Sequence, residues 1–189
     1  MKRILITGGI GSGKSVVARI VNYMGFPVYD CDNNAKRLMH TDEKLLQDIK
    51  KIFGSDIYRN EKIDSKRLAS IIFADHKLRE QLNMIVHKSV RDDIEKWFGS
   101  HSPETDFAFV ETAIAASSAI DKMVDIVWWV EAPVEIRKNR VINHRGMDAI
   151  DFENRLKSQS MEVMLPHYVV IRNDNITPLL PRIETLLQQ

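Results

Sequence analysis

Eight consecutive residues, Gly8-Gly9-Ile10-Gly11-Ser12-Gly13-Lys14-Ser15, constrain this chain more than any other stretch, because they fit the pattern G-x-x-x-x-G-K-[ST]. Each position has a physical reason. Glycines let the backbone take positive φ and come close to phosphate oxygens, and successive N–H groups can then converge on one anion. A helix starting near Gly13 adds the positive end of its dipole. Lys14 supplies a point charge for the β- and γ-phosphates, and Ser15 a hydroxyl suited to Mg²⁺. A glycine-rich turn without a ligand also satisfies the bare pattern. Here, however, the apolar run Ile4-Leu5-Ile6 precedes the loop, and Val16, Val17, Ile20, Val21 and Met24 follow on one helical face, with Gly25 suited to the helix end. That context selects phosphate binding. A dinucleotide fingerprint fails, since G-x-G-x-x-G read from Gly9 meets Lys14 at its last position.

The rest of the chain extends this start into an α/β protein. Pro27-Val28-Tyr29, closed by Asp30, is a second short strand, so strand, loop, helix and strand open a parallel sheet. From about Asp32 to Ser102 the pattern is helix after helix, with Leu78, Leu82, Ile85, Val86, Val90, Ile94 and Trp97 at helical spacing. His101–Asp106 reads as a loop; Phe107–Val110, ending at Glu111, and Val124–Val130 read as strands. Ala132-Pro133 opens a helix, Asp148 caps another through Leu165, Tyr168–Ile171 is a fifth strand, and Pro178 opens a last helix. The spacing predicts a three-layer P-loop NTPase sandwich around a five-stranded parallel sheet. Its expected parts are a core (1–32, 104–139, 166–189), a helical acceptor-binding insertion (33–103) and a lid (140–165).

Composition narrows the functional classes. A chain of 189 residues suits one domain, and 44% hydrophobic with 28% charged residues is ordinary for a globular protein. A net charge of +1 argues against a nucleic-acid partner. Cys31 is the single cysteine, which excludes an internal disulfide and fits a reducing compartment. The apolar start is too short for a signal peptide and no run reaches membrane-spanning length, so the expected location is cytoplasmic, without membrane partners. The pattern does not set an oligomeric state.

A guanine-reading N-K-x-D segment is absent, against a regulatory GTPase, and Phe107–Glu111 ends in one carboxylate where a motor ATPase usually has two. A small-molecule kinase fits better. Asp30 and Asp32 follow the second strand, at the sheet edge where ligands bind; a carboxylate there can take a proton from an acceptor hydroxyl. Alternation would put both on one side and Cys31 on the other; the competing reading is that one aspartate merely caps the next helix, a role that suits Asp30 better than Asp32. Arg137, Lys138, Arg140, Arg145, Arg155 and Lys157 form a late basic set that suits a lid closing on ATP. Taken singly, each reads more readily as part of a solvated helix face balanced by Asp148, Asp151 and Glu153, except Arg145, which His144-Arg145-Gly146 places in a loop between two helices. The six histidines are too scattered for a zinc motif on one helix.

Thr7–Ser15 together with Val28-Tyr29-Asp30-Cys31-Asp32-Asn33-Asn34-Ala35 resembles the dephospho-coenzyme A kinase family. The likeness runs on through Ile63-Asp64, Leu68-Ala69, Ile72-Phe73, Leu82–His87, Arg140–Arg145, Arg155–Gln159 and Tyr168–Asn173. The resemblance implies ATP and Mg²⁺ as cofactors and phosphorylation of the ribose 3′-hydroxyl of dephospho-coenzyme A. It puts ATP on Gly9, Gly11, Ser12, Gly13, Lys14, Ser15 and Val16, with Asn173 near the adenine. Lys14, Asp32, Arg140 and Arg145 would be catalytic, with Asp32 the base; Asp32, His87 and Arg91 would hold the acceptor; Ser15 would hold Mg²⁺. The chain departs from the family pattern at Val16, His87-Lys88, Thr112–Ser117 and Asn143–Gly146, mostly on the acceptor and lid side. Two other readings stay open here: a kinase for another small acceptor, such as a nucleoside or nucleotide, and a nucleotide-binding regulator without catalysis.

Overall fold

The structure is a computed structural model that describes residues 1–59, 62–159 and 168–189. Its described elements alternate as expected for α/β: β1 (Lys2–Thr7), α1 (Lys14–Tyr23), β2 (Val28–Asp30), four helices α2 (Cys31–Thr41), α3 (Glu43–Phe53), α4 (Ser65–Ala74) and α5 (His76–Gly99), then β5 (Phe107–Glu111), β6 (Ile126–Glu131), α6 (Val134–Arg145), α7 (Ala149–Gln159), β7 (Tyr168–Arg172) and α8 (Leu179–Leu187). Two very short strands, β3 (Tyr58–Arg59) and β4 (Lys62–Ile63), pair antiparallel between α3 and α4. Strands of two residues are too short to leave an alternating pattern in the sequence, so nothing in it marks this hairpin.

Five strands form one sheet in the order β2-β5-β1-β6-β7, every pair parallel. Parallel strands must be covered on both faces, and the central ones show it: Ile4, Leu5 and Ile6 of β1 and Ala108, Phe109 and Val110 of β5 are all buried, whichever face they point to. Ile4, Ile6, Phe109, Trp128, Val130 and Ile171 pack with Val17, Ala18 and Val21 of α1 and Ile183 and Leu186 of α8 into the main core. Burying each of these larger side chains contributes about 1.5–3 kcal/mol, and truncating Phe109 to Ala would cost about 3–5 kcal/mol. Helix α1 stops where it must. Gly25, at φ 93°, lets its own N–H reach Asn22 O and the Phe26 N–H reach Val21 O, which closes the last turn.

By internal contacts the chain comprises two compact units, Met1–Asp30 with Ser102–Gln189, and Cys31–His101. The first contains the sheet. The second is helical: α2, α3 and α4 pack on α5, whose Leu82, Val90, Ile94 and Phe98 are buried. Aspartates start its helices. Asp42, Asp64 and Asp75 each accept backbone N–H bonds from the first turn that follows, and the Asp42 carboxylate also receives the buried Ser89 hydroxyl from α5 at 2.5 Å. No described helix is long and apolar enough to cross a membrane.

Candidate active site

The loop between β1 and α1 sits at the carboxyl end of the central strand, the edge of a parallel sheet where ligands bind. Its glycines are required by geometry. Gly11 and Gly13 have φ of 73° and 94°. A side chain on Gly11 would lie 2.6 Å from the Arg137 carbonyl, and one on Gly13 would run into the Asn173 amide. The residue after the loop, Lys14, is the first of α1, so the positive end of the helix dipole faces the loop. Lys14 Nζ donates to the Gly9 carbonyl at 3.3 Å, which folds its side chain back along the loop. The Ser12 hydroxyl is buried and finds no partner among the described residues. A loop that excludes Cβ atoms, opens at a helix N-terminus and holds an unsatisfied hydroxyl fits the phosphate chain of a nucleotide.

Helix α6 supports this loop from outside. Ile10 packs with Val141 of α6 and Phe152 of α7 in a small second core. On the same helix, Arg137 Nε donates to the Ile10 carbonyl at 2.7 Å. One turn on, Arg140 Nη1 donates to the carbonyls of Gly11 (3.3 Å) and Ser12 (3.2 Å). Its Nη2 donates to the Asn173 carbonyl (3.0 Å), to Asn173 Oδ1 (3.1 Å) and to Asn175 Oδ1. Burial holds both guanidinium groups below their usual pKa. Asn173 is itself buried and donates to the Ser12 carbonyl at 2.8 Å. So the residue expected near the adenine is tied to the phosphate loop. Beside it, a pocket of about 330 Å³ is lined by Glu131, Ala132, Pro133, Arg172 and Asp174, at the carboxyl ends of β6 and β7.

The remaining expected residues fall as follows. Asp30 pairs in register with Glu111, so two carboxyl-bearing residues end neighbouring strands at the edge that carries the loop. Asp32 does not continue β2. The chain turns helical at Cys31, so Asp32 is an exposed residue in the first turn of α2, and strand alternation does not govern its direction. Asp32, His87 and Arg91 belong to the helical unit, with His87 and Arg91 one turn apart on α5, both half-buried. Ser15 is half-buried and Val16 exposed. Arg145 is the last residue of α6 rather than part of a loop, ended by Gly146 at φ 64°; the Arg145 side chain and the expected lid residues 160–165 lie outside the described residues. Arg137 and Asn175 were missed as contributors to the loop. The one sequence signal for Arg137 was its three-residue spacing from Arg140.

Fold and site together define a P-loop phosphotransferase. Comparison with known proteins narrows this. Residues 3–178 match the family model described as dephospho-CoA kinase. A dephospho-CoA kinase of Porphyromonas gingivalis is 41% identical over 87% of this chain and 81% of its own length. One from Bacteroides fragilis is 33% identical over 98% and 91%. The structure of the dephospho-CoA kinase from Campylobacter jejuni superposes with a TM-score of 0.70 over 100% of this chain and 98% of that one, at 24% identity, and so speaks for the fold. The chain belongs to the dephospho-CoA kinase family.

Proposed function

We propose that this chain transfers the γ-phosphoryl group of ATP to the ribose 3′-hydroxyl of dephospho-coenzyme A, giving coenzyme A and ADP, the last step of coenzyme A formation. Family membership carries the reaction, and the observation that carries the chemistry is the Cβ-excluding loop Gly8–Ser15 at the start of α1. The altered stretch Thr112–Ser117 does not by itself favour another acceptor, and the family match spans it.

In this reading the loop amides and Lys14 hold the β- and γ-phosphates, and the pocket lined by Ala132, Pro133 and Arg172 receives the adenine. His87 and Arg91 hold the acceptor. The 3′-hydroxyl oxygen bonds to the γ-phosphorus as the bond to the β,γ-bridging oxygen breaks, with ADP as leaving group. The hydroxyl proton passes to the Asp32 carboxylate and then to water. Arg145 neutralises charge on the transferred group. The Ser15 hydroxyl is an oxygen donor that suits Mg²⁺, an ion that keeps waters and binds through nucleotide phosphates rather than through an all-protein cage; among the described residues no cluster of three or more His, Cys, Asp or Glu side chains forms such a cage. When bound, the ion neutralises charge on the phosphates. The expected location is the cytoplasm. Coupled ADP release tests the proposal: turnover should depend on dephospho-coenzyme A and stay near background with nucleosides or nucleotides. Equal rates with every acceptor, or with none, would sink it.

A further inference from the structure

The half-buried guanidinium of Arg137 has no carboxylate partner among the described residues. Its Nε holds the Ile10 carbonyl, and its terminal nitrogens lie against Gly9, where a Cβ would collide with them. Taking an unpaired cation out of water is costly, and an apolar side chain of similar length would fill the space against Gly9 more cheaply. A purely packing role therefore does not explain an arginine here.

Peptide geometry supplies a role. In a trans peptide the C=O of one residue and the N–H of the next point in opposite directions. A carbonyl of Ile10 drawn toward α6 sends the Gly11 N–H the other way. Arg140 and Asn173 do the same for the Ser12–Gly13 peptide by holding the Ser12 carbonyl. The intervening Ser12 N–H is closed inside the loop on the Gly9 carbonyl at 3.1 Å. The loop's amides are thus aimed by holding its carbonyls from behind.

We propose that Arg137 is a positioning residue of the phosphate cradle: through the Ile10 carbonyl it aims the Gly11 amide at a nucleotide's polyphosphate chain, and its charge, lying behind Gly9, adds to the attraction. Arg137 touches neither reacting atom, so its effect appears in polyphosphate affinity rather than in the acceptor. This rests on the reading that the loop binds ATP.

The test compares wild type with Arg137→Met, which keeps length but no donor, Arg137→Gln, which keeps a donor but no charge, and Glu135→Gln as a charge control elsewhere on α6. Calorimetric titration with ADP, inorganic tripolyphosphate and adenosine is read beside thermal unfolding. Losing a charge-assisted hydrogen bond should weaken ADP and tripolyphosphate binding to Arg137→Met about tenfold or more. Adenosine affinity and the KM for dephospho-coenzyme A should stay within about twofold of wild type, the midpoint of unfolding should not fall, and Arg137→Gln should recover part of the loss. Tripolyphosphate affinity unchanged in Arg137→Met overturns the inference. So does a loss shared equally by adenosine and accompanied by a lower unfolding midpoint, which would mark Arg137 as structural. Wild-type protein that fails to bind ADP overturns the reading of the loop itself, and this inference with it.

Discussion

Two glycines with nearly the same backbone angle separate local strain from the loop's tertiary support. Gly13 and Gly25 have φ of 94° and 93°. Alanine at either would sit in left-handed backbone, at about 1–2 kcal/mol. The surroundings differ. A Cβ on Gly25 meets nothing within 4 Å, whereas one on Gly13 displaces the Asn173 amide. Asn173 is buried and cannot swing away freely, since its Nδ2 bonds the Ser12 carbonyl at 2.8 Å and its Oδ1 accepts from Arg140 at 3.1 Å. Breaking these contacts with the groups left buried adds about 1–3 kcal/mol. Gly13→Ala should therefore cost about 2–5 kcal/mol in all. At roughly 2–4 °C per kcal/mol for a chain of this size, Gly25→Ala should lower Tm by about 2–8 °C, and Gly13→Ala by about 2–12 °C more. Scanning calorimetry measures both, and ADP titration should show affinity lost in Gly13→Ala and kept in Gly25→Ala. Equal Tm losses, or full ADP affinity in Gly13→Ala, would refute the claim that Asn173 braces the loop.

Lys14 folds back onto the Gly9 carbonyl of its own loop, so Lys14→Ala should change the unfolding free energy by about 0.5 kcal/mol or less while kcat falls roughly 10²–10³-fold, as thermal unfolding beside a steady-state assay would show. Asp32→Asn should leave ATP affinity intact and slow the chemical step about 10²–10⁴-fold in single-turnover experiments; lost ATP affinity with unchanged chemistry would assign it to metal or structure instead. The Ser89 hydroxyl, and then backbone N–H groups of Leu45 and Lys44, hold the Asp42 carboxyl below its ordinary pKa. A depressed folded-state pKa stabilises above the unfolded value and loses that stability as pH falls through the folded one. Asp42→Asn should therefore be less stable than wild type at pH 7, with the gap closing below about pH 4, as denaturant titrations across pH would record.

The sheet was legible because its signals are local. Ile4-Leu5-Ile6, Phe107–Val110 and Ile126–Val130 are continuous apolar runs, as strands covered on both faces are; the strand expected from Val124 starts two residues later, past Asp125. The loop was legible because glycine, lysine and serine at fixed spacing carry its chemistry within eight residues. What holds the loop was not. Arg137 reaches Ile10 across 127 positions and Asn173 reaches Ser12 across 161, and both address backbone carbonyls, which every residue has and no sequence pattern marks. The expected direction of Asp32, set by strand alternation, failed for a related reason. Asp30-Cys31-Asp32 suits a strand end as well as a helix start, and the helix begins at Cys31, two residues before the Asn33 at which the helical insertion was expected. Likewise His144-Arg145-Gly146 read as a loop because Gly146 marks a break, yet that break follows the arginine.

A crystal structure with ADP and magnesium tests the central claim most directly. The account predicts the β-phosphate seated in the loop, with its oxygens within hydrogen-bonding distance of the Gly11 and Gly13 amides, and with the carbonyls of Ile10 and Ser12 still held by Arg137, Arg140 and Asn173. A diphosphate bound elsewhere, or a loop whose carbonyls have turned inward to replace its amides, would contradict it.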